Sequence, residues 1–198
     1  MEPRVSAKLE QWLSGEGERT LGSLVEVFEE KSFAIAFVLL LGVPALPLPT
    51  GGVTHVFEII SVLLALELIV GRHTIWLPQR WCNLNIAGPT QTKFLNGLMK
   101  MIRFLERYSK PRLTILFDHR ISNAIFGLLI IVSTVGAFLA PPFTGLDTLP
   151  ALGGVLVSLG VLLTDIVVVA AGVLVGGFGI TLEIVLGKAA LDQAMRLF

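Results

Sequence analysis

Cysteine is nearly missing from this chain. Cys82 is the single one among 198 residues, so no intramolecular disulfide can form. Charge is thin as well, with only 15% of residues being Asp, Glu, Lys or Arg. No nucleophile elbow, phosphate loop, CxxC pair or HExxH helix occurs, and Cys82 with three scattered histidines makes no catalytic set. The expectation is a protein that is not an enzyme and holds no cofactor and no metal. The first 31 residues lack an apolar core and carry seven acidic side chains, so they do not read as a cleavable signal peptide.

What the chain has in quantity is apolar sequence. Hydrophobic residues make up 54% of it, and the mean hydropathy is +0.80. A soluble domain of this length has no interior large enough for so much apolar surface, so an integral membrane protein is expected. The net charge is zero, but the charges are sorted along the chain. Residues 1–31 carry four Lys/Arg against seven Asp/Glu, whereas residues 72–120 carry nine Lys/Arg against Glu106 and Asp118. Cationic loops stay on the cytoplasmic side, which places 72–120 there. Anionic lipid accounts for this basic stretch, and no nucleic-acid partner is expected.

The chain reads as one membrane domain. Residues 1–32 form an interfacial region in which Leu21, Leu24, Val25 and Phe28 keep helical spacing. Residues 33–71 form a first hairpin, with helices over 33–46 and 53–70 around the turn residues Pro47, Pro49 and Gly51. The first of these helices is about 21 Å long at 1.5 Å per residue, short of a hydrocarbon core of roughly 30 Å. The turn is therefore expected inside the bilayer, where bare backbone needs a polar lining; Thr50, Thr144 or an ordered water would supply it. In the basic segment 72–120, residues 92–108 are amphipathic. Phe94, Leu98, Met101, Leu105 and Tyr108 share a face, with Lys93, Lys100, Arg103 and Arg107 elsewhere, facing anionic lipid. Such a helix lies on a membrane surface or on other helices.

Residues 121–165 form the second hairpin. It opens with the uncharged stretch 121–140 and turns at Pro141, Pro142 and Gly145. Residues 166–198 supply a final span and tail. The apolar run from Leu149 to Gly187 is too long for one span and must break, either at Asp165 or in "GGFG" at 176–179. Gly172 and Gly176 make a GxxxG pair suited to close helix contact. "PLPTG" and "PPFTG" sit at matching places in the two hairpins, which suggests an internal repeat of the transporter kind.

Charges at membrane depth are the candidate path residues, because they are costly there. Asp165 is read as a relay or as the cap of the helix that follows it. Glu67 is read as functional or as hydrated near Arg72. His55 and Glu58, three apart, share a helix face and form a hydrogen-bonded pair or half of a metal site.

Five stretches, in order along nearly the whole chain, carry a family resemblance: "LGSLVEVFEEKS", "VPALPLPTGG", "GRHTIWLPQRW", "RFLERYSKPRL" and "APPFTGLDTLPALGGVLVSLGVLLTD". Together they resemble the ExoD family of bacterial membrane proteins, named for a role in exopolysaccharide synthesis. The resemblance implies a multi-pass inner-membrane protein of envelope polysaccharide biogenesis and supplies no catalytic residues. The expected fold is all-α and polytopic, with two related Pro/Gly-broken hairpins, re-entrant in this reading, a final span and interfacial amphipathic helices. The expected function is to move or gate a polar solute, an ion or a lipid-linked head group. The alternative is a non-transporting scaffold subunit of a polysaccharide assembly. Anionic lipids, a second copy or polysaccharide-assembly proteins are the expected partners.

The charge sorting sets an expected topology. Cysteines substituted for Lys93 or Lys110 in a Cys82→Ser background are expected to react only after the inner membrane is permeabilised. Labelling by an impermeant maleimide in intact cells would place 72–120 on the other side.

Overall fold

The computed structural model describes residues 4–15, 20–28, 31–46, 53–72, 75–76, 78–83, 89–112, 117, 119–140 and 144–197. Every regular element among them is helical. The chain forms α1 (Val5–Ser14), α2 (Leu21–Phe28), α3 (Ser32–Gly42), α4 (Val53–Val70) and α5 (Gln79–Cys82). It continues with α6 (Pro89–Tyr108), α7 (Arg120–Leu139), α8 (Thr148–Leu162) and α9 (Ile166–Leu197). The all-α expectation holds, and the hairpin helices fall within a few residues of the apolar runs.

A helix that is apolar on every side is stable only when surrounded. That condition makes α3 and α8 the interior of the bundle. All eleven residues of α3 are buried, and α8 packs against α3, α7 and α9. Helices α4 and α7 pack on each other and on the inner pair. Their outer stripes, such as Val56, Ile59, Leu63 and Leu66 on α4, are exposed and apolar. An exposed apolar surface of this extent marks contact with a non-aqueous partner. Helix α7 and the Ile166–Ala189 part of α9 are long and apolar enough to cross a membrane, with mean hydropathies of 2.0 and 2.1.

Both hairpins begin and finish at one end of the bundle. There Lys31 Nζ, just before α3, donates to the Leu162 carbonyl that ends α8 at 3.2 Å. Arg120, opening α7, donates to the Val70 carbonyl that ends α4 at 3.1 Å. The described residues that flank the two turns, Leu46, Val53, Ala140 and Thr144, belong to the other ends of these helices. Pro47, Pro49, Thr50, Gly51, Pro141 and Pro142 are outside the described residues, so the polar lining expected of the turns falls there too. The hairpins differ in order of burial. The first supplies its inner helix first and the second supplies its inner helix last, with lengths of 11 and 20 residues for α3 and α7. Each hairpin gives one helix to the interior and one to the outside, so the expected equivalence does not show in length or burial.

One expected break point is corrected. "GGFG" at 176–179 lies inside α9, a continuous helix of 32 residues. The chain turns only at 163–165. Thr164 takes the left-handed conformation, with φ +56°. The Asp165 amide donates to the Gly160 carbonyl at 2.8 Å and the Thr164 amide to that of Val161 at 3.1 Å, which closes α8. The glycines instead let α8 and α9 touch backbone to backbone. A Cβ on Gly153 would stand 2.4 Å from the Gly176 Cα, and one on Gly172 would stand 2.6 Å from the Val157 amide nitrogen.

The remaining helices form a layer beside α3. Leu9, Leu24 and Phe28 are buried there with Leu95, Leu98, Met99 and Ile102 of α6. The buried stripe of α6 is thus rotated from the expected one, and Tyr108 is 62% exposed. Contact with α1 decides this rotation: Glu106 accepts hydrogen bonds from the Ser6 amide and hydroxyl, and Arg103 pairs with Glu10 at 2.6 Å.

The α8–α9 contact makes a testable contrast. Gly153→Ala is expected to cost about 1–3 kcal/mol through overpacking. Gly177→Ala, on the same helix pair with no atom near its added Cβ, is expected to be neutral or stabilising by up to about 1 kcal/mol. Thermal unfolding of the two variants in detergent checks the difference.

Candidate functional site

Where four helix ends converge, packing leaves a cavity of about 360 Å³ between α3, α4, α7 and α8. That volume falls within the range of small-molecule sites. Phe37, Phe126 and Ile130 are among its apolar walls, and Lys31, Arg72 and Asn123 among its polar ones. Phe117 stacks on Phe126 with ring centroids 5.3 Å apart and closes one side. Lys31 occupies the N-cap position of α3. A helix N-terminus carries partial positive charge and favours an anion, so a lysine there opposes the helix field. Arg72, at the end of α4, adds a second cation to the same space. Among the described residues no carboxylate forms an ion pair with either.

Asp165 lies at the turn beside this end, with its side chain 1% exposed. It accepts from the Val167 amide at 3.0 Å, which caps α9. It also accepts from the Lys110 amide at 3.1 Å and from Arg112 Nη1 at 3.4 Å. The Arg112 amide in turn donates to the Thr164 carbonyl at 3.1 Å. This short bridge fastens the segment after α6 to the α8–α9 turn. Burial works against the Asp165 charge. The Lys110 and Val167 amides, the Ser109 hydroxyl and the Arg112 guanidinium outweigh it and hold the carboxyl below the usual aspartate range. Of the two roles open to Asp165, the partners present are those of a cap and fastener.

The opposite end gathers acids. His55 Nδ1 and Glu58 Oε2 are 2.8 Å apart, confirming that the two side chains meet on one face of α4. Glu58 is 1% exposed, and its other oxygen has no hydrogen-bond partner among the described residues. Asp147, before α8, interacts electrostatically with Glu58 and with Glu183 of α9. The His55 ring packs against Phe138 at a centroid distance of 4.8 Å. Among the described residues no group of three or more His, Cys, Asp or Glu is placed to hold a metal ion.

The other sequence candidates are scattered. Glu67 Oε2 accepts the Trp76 amide at 3.0 Å. Thr144 is exposed and its hydroxyl accepts the Leu146 amide at 3.4 Å, while Gly145 takes a positive φ of +70°. Lys100 and Arg107 are exposed on α6, and the Lys93 side chain is outside the described residues. Sequence reasoning did not single out Lys31, Arg72, Asp147 or Glu183 as site residues. The signal for Lys31 was its place as the last charge before an apolar run, and for Glu183 its isolation within one.

A family described as "Exopolysaccharide synthesis, ExoD" matches residues 5–185. Among curated proteins, an uncharacterized protein of Synechocystis is 26% identical over 174 residues, covering 86% of this chain and 81% of that protein. Protein ExoD of Rhizobium meliloti is 31% identical over 157 residues, covering 77% of this chain and 64% of its own length. No solved structure matches the chain.

The lowered Asp165 carboxyl carries a pH dependence. A group held below its ordinary value stabilises the fold above the unfolded pKa of about 3.9, and that contribution is lost as pH falls through the folded value. Asp165→Asn is expected to cost about 1.5–3 kcal/mol at pH 7, the size of hydrogen bonds to a charged group. The difference from the native chain should narrow below about pH 4. Thermal unfolding in detergent across that range measures both.

Proposed function

Because the chain belongs to the ExoD family, we propose that it serves exopolysaccharide production as a multi-pass protein of the bacterial inner membrane, where it moves or gates a polar solute or lipid-linked head group. The observation that carries this reading is the cavity between the two hairpins, enclosed by helices with apolar outer surfaces and opening beside two cations that form no ion pair among the described residues. The cation-rich end faces the cytoplasm in this reading, because Lys31, Arg72, Lys110, Arg112 and Arg120 gather there. Helices α4, α7 and α9 face lipid, while α3 and α8 stay inside. No reaction is assigned to the protein. Anionic lipids contact its basic segment, and a second copy or other polysaccharide-assembly proteins are its partners.

One observation favours the second reading, a non-transporting accessory subunit. Asp165, the charge best placed in sequence for a relay, is fully engaged in fastening the α8–α9 turn. The two readings separate on filling the cavity. Ala34 lines it, and Ala34→Phe is expected to reduce exopolysaccharide by tenfold or more while membrane abundance stays within twofold. Full polysaccharide from a strain with normal Ala34→Phe abundance would sink the transport reading and leave the accessory one.

A further inference from the structure

The cavity at the cation-rich end has a composition that specifies its occupant. We infer that it takes a phosphate-headed amphiphile, the phosphate between Lys31 and Arg72 and the first part of its hydrocarbon chain against Phe37, Phe126 and Ile130. This deepens the reading of the protein as handling a lipid-linked head group and rests on it.

Three features of the site lead to this class. Charge comes first. Lys31 sits at the N-cap of α3, where the helix field opposes a cation, and among the described residues its ammonium donates to the Leu162 carbonyl alone. An ammonium has three donors, so that bond occupies one of them. Arg72 brings a planar fork that matches phosphate oxygens. An anion between the two removes both the mutual repulsion and the conflict with the α3 terminus. A neutral sugar or a cation does neither.

The polar inventory comes next. Asn123 at the start of α7 and Thr164 at the α8 turn line the same space. With Lys31 and Arg72 they surround it with donors from all four helix ends, which suits a group with several acceptor oxygens. A single carboxylate would use fewer of them.

The third feature is the apolar depth. Phe37, Phe126 and Ile130, one to three turns into α3 and α7, continue the cavity away from the helix ends that carry the cations. A free phosphate ion would leave these walls facing water. An alkyl or isoprenoid phosphate covers them, and burial of apolar area contributes roughly 25 cal/mol per Å². The site is thus polar at the bundle end and apolar towards its middle, the same order as a lipid standing in one leaflet.

The test uses the full chain purified in dodecyl maltoside, with dodecyl phosphate as the probe, dodecanol as the neutral control and inorganic phosphate as the tail-less one. Dodecyl phosphate is expected to raise the melting temperature by several degrees and to bind at least tenfold more tightly than either control. Arg72→Gln, at an exposed position, is expected to fold normally and to bind dodecyl phosphate at least tenfold more weakly. Lys31→Gln should show the same loss, and Ala34→Phe should abolish saturable binding. Equal shifts from dodecanol would overturn the phosphate, and equal shifts from inorganic phosphate would overturn the amphiphile. Unchanged binding by Arg72→Gln and Lys31→Gln would overturn the site. If dodecyl phosphate binds as expected while an Arg72→Gln strain makes full exopolysaccharide, the ligand assignment stands and the transport reading fails.

Discussion

Gly153 and Gly176 meet with no side chain between them, and that contact governs where the other helices can lie. Helix α8 is apolar all round and too short to stand alone, so it needs neighbours on every side. With α9 drawn in to backbone distance along one flank, α3 and α7 take the remaining flanks. Gly160 against Val169 continues the same close fit towards the C-terminal end of α8, and Gly179 against Pro150 continues it towards the N-terminal end. Gly154 lets Leu41 of α3 in on another side. Inside hydrocarbon, apolar contact between helices gains nothing over contact with lipid, and tight packing of small residues takes its place. The cavity follows from this arrangement. Where the helices reach their ends and Phe33, Phe37 and Phe126 replace glycine, the bundle can no longer close.

The fastening at Asp165 acts on a different level. It does not pack helices but ties an outlying segment to the bundle. Lys110 and Arg112 stand 55 and 53 residues from the aspartate that holds them. The segment between α6 and α7 therefore has a fixed start on the α8–α9 turn, and Phe117 beyond it lies over the cavity. This carboxylate thus adds a second anchor to the basic helix α6, beside its contacts with α1, and ties the end of α6 to the wall of the site.

Much of the helix layout was legible because apolar runs and their interruptions are local. The expected limits of α4 agree with those found, and α7 is displaced by one residue. Asp165 was legible as an odd charge in a long apolar run, but its partners were not, since they come from another part of the chain. Lys31 and Arg72 look like ordinary flanking cations in sequence. They become a site only because four helix ends separated by about 130 residues converge. The acid cluster was half visible: His55 and Glu58 share a helix, whereas Asp147 and Glu183 reach them only through the bundle. "GGFG" was misjudged for a related reason. Glycine signals a break or a close approach, and only the neighbouring helix decides which.

The separation of charge between the two ends gives the bundle an electrical polarity of its own. Lys31, Arg72 and Arg120 stand at one end, and Glu58, Asp147 and Glu183 gather near the other. An energised inner membrane is negative inside, and an elementary charge crossing it is worth about 2.3 kcal/mol per 100 mV. With the cation-rich end in the cytoplasm, as proposed, this dipole lies along the resting field in its low-energy direction. The membrane potential then favours this orientation of the bundle over the inverted one wherever those acids are ionised.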